Sequence, residues 1–178
     1  MKILKGLLLT IAGIVALMLI VALFTPKEYT VSVMETINKP KQDVVNYVSV
    51  LRNQEQYNEW VKADPNLHPE IVGTDGTVGA IQKWNSKEDN IGEGEQEITS
   101  LTGDRMDVDL RFKRPFEGNA KAAYIFKAST EKQTEITAEF YEKSRFPINL
   151  MSYFIGKKMI EKTQKKNLKN LKAILESR

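Results

Sequence analysis

The stretch RMDVDLRF, residues 105–112, carries the signal that decides the fold. Apolar and charged side chains alternate along it, with Met106, Val108, Leu110 and Phe112 set between Arg105, Asp107, Asp109 and Arg111. Successive side chains of a β-strand point to opposite faces of its sheet, so this period of two predicts a strand with one buried and one solvated face. The Gly103-Asp104 pair just before it is typical of a tight turn between antiparallel strands.

The same alternation recurs on both sides of this stretch. It predicts further strands over residues 30–37, 80–85, 93–98, 120–126 and 136–140, with a short strand at residues 70–72. The turns between the later strands are short, which favours antiparallel pairing. Because each strand has one apolar face, the strands together predict a curved sheet with a buried concave side.

Elsewhere the spacing of apolar residues becomes helical. The break at Asn38-Lys39-Pro40 can start a helix, predicted over residues 41–51, and a second short helix is predicted over residues 54–61. After Phe146-Pro147 an apolar stripe predicts a long C-terminal helix. The stripe consists of Leu150, Met151, Phe154, Ile155, Met159, Ile160, Leu168, Leu171 and Leu175. Gly156 lies within this helix and indicates a kink or a close contact.

The apolar run Ile3–Phe24 predicts a transmembrane helix. At a rise of ~1.5 Å per residue, a helix of this length crosses the ~30 Å hydrocarbon core of a bilayer. Lys2 and Lys5 precede it, so the positive-inside rule predicts a cytoplasmic N-terminus and an extracytoplasmic remainder. We therefore expect an anchor over residues 1–27 and a separate domain over residues 28–178, in a single-pass protein of the cell membrane. A cleaved signal peptide is the alternative, although bulky Ile20 lies two positions before the best small residue, Ala22.

Composition excludes several classes of function. Without Lys2 and Lys5 the chain has 24 basic and 23 acidic residues, which does not favour nucleic acid as a partner. With no cysteine in 178 residues, disulfides, thiolate metal sites and thiol nucleophiles are impossible. The single histidine, His68, argues against a histidine-rich metal site or a histidine-based triad. We therefore expect no metal, no cofactor and no catalytic residue.

The order strand, two helices, several antiparallel strands and a long helix resembles the helix-grip fold of the START-like superfamily, also called SRPBCC. Within it the chain resembles the polyketide cyclase/dehydrase-like group. The residues that carry the resemblance are Ile37-Asn38-Lys39-Pro40 before Val44-Val45, Gly76-Thr77-Val78-Gly79-Ala80, Trp84, Gly92-Glu93-Gly94, Arg105-Met106, Pro115-Phe116-Glu117-Gly118 and Thr134. The resemblance implies an α+β fold in which a curved antiparallel sheet wraps around the C-terminal helix, often with a ligand cavity between them.

The side chains that the alternation predicts to point to the concave face, which we call residues of inward parity, define a candidate ligand site. A curved sheet closed by the C-terminal helix can leave a cavity, which would be mostly apolar with a few placed polar groups. The candidate ligand-binding residues are Gln82, Trp84, Gln96, Val108, Leu110, Tyr124, Phe126, Phe140, Met151 and Phe154. The alternative from the residues alone is a filled core, in which the two glutamines reach the rim or ordered water.

Other polar clusters receive structural interpretations. The acids at positions 93, 95 and 97, and those at 107 and 109, have outward parity, so we expect them in water rather than in acid–base catalysis. The many lysines of the last helix could rest on anionic lipid headgroups, but a solvated face is favoured.

These observations leave three functional hypotheses. The first is a membrane-tethered, non-enzymatic module that binds a hydrophobic small molecule or lipid. The second is an enzyme of the cyclase, dehydratase or hydrolase kind that uses the same cavity. The third is an envelope domain with a packed core that recognises a protein partner.

Overall fold

The computed structural model describes residues 2–178, with side chains from residue 3 onwards. The helices are α1 (Lys2–Phe24), α2 (Lys41–Ser49), α3 (Gln54–Tyr57), α4 (Glu59–Lys62), α5 (Asn149–Met151) and α6 (Lys157–Glu176). A 3-10 turn (Leu51–Asn53) precedes α3, and a π-helical turn (Ser152–Gly156) joins α5 to α6. The strands are β1 (Glu28–Ile37), β2 (Glu70–Val72), β3 (Ile81–Asn85), β4 (Glu93–Leu101), β5 (Arg105–Arg114), β6 (Gly118–Thr130) and β7 (Gln133–Lys143).

Within residues 2–178 the strands form one seven-stranded sheet in the order β1-β7-β6-β5-β4-β3-β2, with every pair antiparallel. The register aligns the apolar parity across strands. Val108 pairs with Ala122, Ala122 with Phe140, and Phe140 with Val31. These side chains therefore share the concave face, as the alternation in residues 105–112 predicts. The predicted α+β architecture, a curved antiparallel sheet around a long C-terminal helix, is confirmed.

The space between sheet and helix differs along its length. At the end nearer the C-terminus of α6, Leu168, Leu171 and Leu175 are buried in the same apolar cluster as Ile37 and Met106. This part is solid core, and we call it the packed half. At the other end, a cavity lies between the concave face and the π-helical turn and first turns of α6. We call this part the hollow half.

The acids of β4 lie on the outer face, but they are less solvated than expected. Glu95 accepts a hydrogen bond of 2.7 Å from Arg111 Nε, and Glu97 accepts one of 2.8 Å from Arg111 Nη2. The Glu95 side chain is 18% exposed, and the bond from Arg111 lowers the pKa of its carboxyl. These carboxylates are thus paired ionically on the convex face, away from the cavity.

Several predicted boundaries are wrong. Helix α2 ends at Ser49 rather than residue 51, and the helix predicted over residues 54–61 is divided at Asn58. The Asn58 side chain accepts the Trp60 N–H at 3.0 Å and so caps a new helix, α4. Strands β6 and β7 are longer than predicted, because their backbone pairing continues through polar residues beyond the apolar alternation. Gly156 makes the predicted close contact, since a Cβ there would lie 3.4 Å from the Tyr29 hydroxyl.

Candidate functional site: a cavity beneath the C-terminal helix

The hollow half contains a cavity of about 420 Å³ between the sheet and the C-terminal helix. Strands β3 to β7 supply one wall, and the π-helical turn and α6 supply the other. Helices α3 and α4 and the loop after them close a third side through Gln54, Trp60 and Leu67. The size and the mostly aromatic and aliphatic lining are those of small-molecule sites in proteins.

Seven of the ten candidate ligand-binding residues line this cavity. They are Gln82, Trp84, Gln96, Val108, Leu110, Tyr124 and Phe140. Phe112 and Ala122, which share their parity, line it too, and Trp84 meets Phe112 edge-on with ring centroids 6.0 Å apart. Strand parity therefore identifies the sheet side of the cavity.

Phe126 is placed elsewhere, which corrects the prediction for that residue. It has inward parity but lies in the packed half, 2% exposed, opposite Ile136 of β7. The alternation along a strand predicts which face of the sheet a side chain lies on. It does not show whether that part of the face borders the packed core or the cavity.

Met151 and Phe154 are also placed elsewhere, and the expectation that they close the cavity is wrong. They are 62% and 54% exposed and point away from the sheet. The cavity wall is made instead by Ser152, Gly156 and Ile160, which follow one another at intervals of four residues on the opposite helical face. Of these residues only Ile160 belongs to the predicted apolar stripe, because Ser152 and Gly156 are small and contribute no hydrophobic signal.

The polar groups at the base of the cavity bond to one another. Gln96 Nε2 donates to Gln54 Oε1 at 2.8 Å and also to Gln82 Oε1, while Gln82 Nε2 donates to the Leu51 carbonyl at 2.9 Å. Asn58 Nδ2 donates to Gln54 Oε1 at 3.1 Å. The two glutamines predicted as ligand contacts thus hold the 3-10 turn and α3 against the sheet, and this network gives the cavity a preformed polar floor.

Gln164 of α6 presents a polar group that sequence analysis missed. Gln164 lines the cavity wall, and its Oε1 atom is buried and finds no hydrogen-bond donor within residues 2–178. The neighbouring Asn167 differs, because its Oδ1 accepts the Glu59 N–H at 2.8 Å. An unpaired buried acceptor beside the cavity would favour a ligand with a hydrogen-bond donor if the Gln164 side chain turned its oxygen toward the cavity.

Tyr124 is the titratable candidate in the lining. Burial raises the pKa of its hydroxyl to about 12, so the phenol stays neutral at physiological pH. A neutral phenol can orient a ligand by hydrogen bonding but is a poor general base. Within residues 2–178 there is also no cluster of three or more histidine, aspartate or glutamate side chains arranged to hold a metal ion.

The cavity extends to one end of the sheet, and we place its mouth there because exposed residues of the adjoining loops border it. The antiparallel register places the start of β1, the end of β5 and the end of β7 at this end. Residues of the adjoining loops, including Ile91, Pro115 and Phe116, line the cavity together with Tyr29 and Ser152. The Tyr29 hydroxyl lies 3.1 Å from Ser152 Oγ, which joins β1 to the π-helical turn at the rim.

A wider and more open depression of about 750 Å³ crosses the strands at the same end of the sheet. Its lining includes the charged residues Glu28, Asp109, Arg111, Lys121 and Lys143. Several of these form exposed ion pairs, such as Lys121 with Asp109 at 3.0 Å. Because it is open and charged, it suits an apolar ligand less well than the cavity beneath α6.

Comparison with known structures identifies the fold. Norcoclaurine synthase from Thalictrum flavum, solved with dopamine and hydroxybenzaldehyde, superposes with a TM-score of 0.63 at 10% identity, covering 88% of this chain and 91% of that one. Ara h 8.0201 gives a TM-score of 0.59 at 14% identity, covering 85% of this chain and 99% of that one. DynU16, from the dynemicin biosynthetic locus, gives 0.58 at 16% identity, covering 83% of this chain and 47% of that one.

These similarities confirm the helix-grip fold that the sequence resemblance implied. No protein-family model matches the sequence, and no curated protein matches it either. At identities of 10–16% the likeness establishes architecture alone. The features of this chain that bear on function are therefore the cavity and α1.

Proposed function

We propose that this protein is a membrane-tethered module that binds a hydrophobic small molecule or lipid in the cavity beneath α6. The observation that carries the proposal is the cavity itself, about 420 Å³ in volume and mostly apolar in lining. A ligand there would be held mainly by apolar contacts with Trp60, Trp84, Leu110 and Phe112. The Gln164 carbonyl, if turned toward the cavity, would select for a donor group on an otherwise apolar molecule.

The lining supports binding rather than turnover. The polar floor consists of amides that bond to one another, and the Tyr124 phenol is held neutral by its burial, while the charged lining residues Arg114 and Glu142 lie at the end of the sheet. Neither kind of group is suited to accept a proton at neutral pH. The hollow half also argues against an interaction domain with a fully packed core.

Helix α1 supports the tether. Ile3–Phe24 is long and apolar enough to cross a membrane, and a signal sequence can have the same length and composition. Asn149 Nδ2 donates to the carbonyl oxygens of Ala22 at 2.8 Å and Thr25 at 2.9 Å, and both Ala22 and Asn149 are buried. Cleavage near Ala22 would remove part of this contact, so the docking favours a retained anchor over a cleaved signal.

Ligand binding is tested with 1-anilinonaphthalene-8-sulfonate and residues 28–178, since the buried cluster of the sheet and α6 lies entirely within that part. The chain has two tryptophans, Trp60 and Trp84, and both line the cavity. We expect saturable binding with energy transfer from tryptophan to dye. Ala122→Leu fills the cavity at its centre and should weaken binding roughly tenfold, equivalent to about 1.4 kcal/mol.

Ala128→Leu is the matched control for this test. Ala128 lies on the same strand and is exposed, so the same added carbons should leave dye affinity unchanged. Denaturant unfolding of each variant distinguishes a filled cavity from a damaged fold. A stable wild-type domain that binds no dye, together with strong destabilisation by Ala122→Leu, would identify a filled core and overturn the proposal.

The tether is tested by topology. We expect the full chain to sediment with membranes and to resist carbonate extraction, because α1 stays in the bilayer. Protease added to intact spheroplasts should digest the part from residue 28 onwards. Complete protection from protease would contradict the proposed orientation, and a mature N-terminus near Leu23 would contradict the anchor.

A further inference from the structure

We propose that the exposed apolar face of the helix after β7 lies in the bilayer leaflet at the C-terminal end of α1, so that the cavity mouth opens onto lipid. This surface, which we call the interfacial patch, consists of exposed side chains of the turn before α5 and of the helix that follows: Phe146, Ile148, Met151, Phe154, Ile155 and Met159, the last of which also borders the cavity. The inference rests on the tethering half of the proposed function, because it requires α1 to span the membrane.

The position of the patch follows from how α1 ends. The last four carbonyl groups of a helix lack partners within the helix. Here Asn149 of α5 donates to the carbonyl of Ala22, and Thr25 Oγ1 donates to that of Val21 at 2.9 Å. Helix α5 is therefore fixed against the last turn of α1, at the level where a spanning helix leaves the hydrocarbon.

No other part of residues 2–178 covers the apolar side chains of the patch. Ile148, Met151 and Ile155 are 59%, 62% and 63% exposed, and they lie on one short helical segment. The sheet leaves these side chains uncovered, although Ser152 and Gly156 of the same segment line the cavity. Contiguous exposed apolar side chains of this kind mark sites of contact with a protein or a membrane.

The surroundings of the patch favour a membrane. Lys157 Nζ lies 5.2 Å from the centre of the Tyr153 ring and 5.9 Å from that of Tyr29, and the two rings meet edge-on. Lysines and tyrosines beside an apolar face are typical of the bilayer interface, where the amines reach anionic headgroups. Lys158 and Arg145 add further positive charge next to the patch.

The same segment also borders the cavity. Ser152 and Gly156 face the cavity, whereas Met151 and Ile155, one residue before each, are exposed on the patch. The cavity rim at Tyr29 belongs to the start of β1, four residues after Thr25. A ligand entering at this rim would therefore come directly from the leaflet without crossing water, so we infer that the ligand is a bilayer-resident lipid or a molecule dissolved among lipids.

The test uses the full chain in phosphatidylcholine–phosphatidylglycerol vesicles. The sequence has no cysteine, so single Met151→Cys and Phe154→Cys variants can each carry one NBD fluorophore. Lipids with a nitroxide on a shallow acyl carbon quench fluorophores at that depth. Lys132→Cys, in the exposed turn at the opposite end of the sheet, is the matched control, and Val15→Cys reports on α1 itself.

We expect strong quenching at positions 151 and 154 and none at 132. Quenching at 15 with none at 151 and 154 would overturn this inference while leaving the tether intact. A blue-shifted signal at 151 or 154 that lipid nitroxides do not quench would identify a second copy or another protein as the occupant, and would also overturn it. Absence of quenching at 15 under any nitroxide depth would remove the tether, and the inference with it.

Discussion

Replacing Phe126 with alanine is expected to lower the free energy of unfolding by about 3–5 kcal/mol. The ring is 2% exposed on β6, opposite Ile136, in the packed half of the space between sheet and helix. Its strand is also fixed there by the bond of 2.8 Å from the Phe126 N–H to the Asp104 carbonyl. The surroundings are therefore too well held to collapse around the space that the lost ring leaves. Urea unfolding followed by circular dichroism gives the measurement.

Two variants on β5 serve as controls for this result. Leu110→Ala removes a half-buried side chain that already borders the cavity, so we expect a smaller loss of about 1–2 kcal/mol. Asp107→Ala removes a partly exposed outer-face carboxylate paired with Arg105 at 2.8 Å, and should change stability by about 0.5 kcal/mol. Equal losses at Phe126 and Leu110 would mean that the packed and hollow halves do not differ.

Gly92→Ala is expected to destabilise the protein by about 3–5 kcal/mol and to disturb the cavity mouth. Gly92 has a φ of +66°, which side chains rarely adopt, and a Cβ there would overlap the Arg114 carbonyl oxygen and lie 2.9 Å from Pro115 Cδ. Backbone strain and a clash with backbone atoms each cost about 1–3 kcal/mol. Since this contact holds the loop after β3 against the loop after β5, we also expect weaker dye binding.

The chain offers controls that separate the two effects. Gly79 has a φ of +87° but open space around its Cβ position, so Gly79→Ala should show the backbone strain alone, about 1–2 kcal/mol. Gly118 has neither constraint, and Gly118→Ala should stay within about 0.5 kcal/mol of wild type. If Gly92→Ala were no worse than Gly79→Ala, the close approach of the two loops would be refuted.

The residues whose orientation was predicted correctly lie on strands where apolar and charged side chains alternate, next to paired strands with the same alternation. Val108 and Leu110 are predicted to face inward because the charges between them face out, and the paired strands repeat the pattern. Phe126 has the same parity, yet it lies in the core because α6 packs against that part of the sheet. The periodicity along one strand does not show which part of the sheet a distant helix covers. Strand parity therefore gives the sheet wall of the cavity but not the cavity's length.

The helical wall could not be predicted, for a different physical reason. Sequence analysis assigns the most apolar face of a helix to the protein interior. In this chain Met151 and Phe154 form the apolar face and are exposed, while Ser152 and Gln164 face the cavity. That rule assumes water on the outside, and the proposed contact of this segment with lipid would reverse it.

The division of the concave space into a packed and a hollow half bears on how this protein can change over evolutionary time. Residues that hold the fold, such as Ile136 and Leu171, belong to the packed half, whereas Trp60, Phe112 and Gln164 border the cavity. Substitutions at residues that border the cavity change its shape and polarity, and we expect them to cost less folding free energy than substitutions in the packed half, as for Leu110 and Phe126. Variants of this chain that retain the packed half can therefore differ in the shape and polarity of the cavity while keeping the same fold.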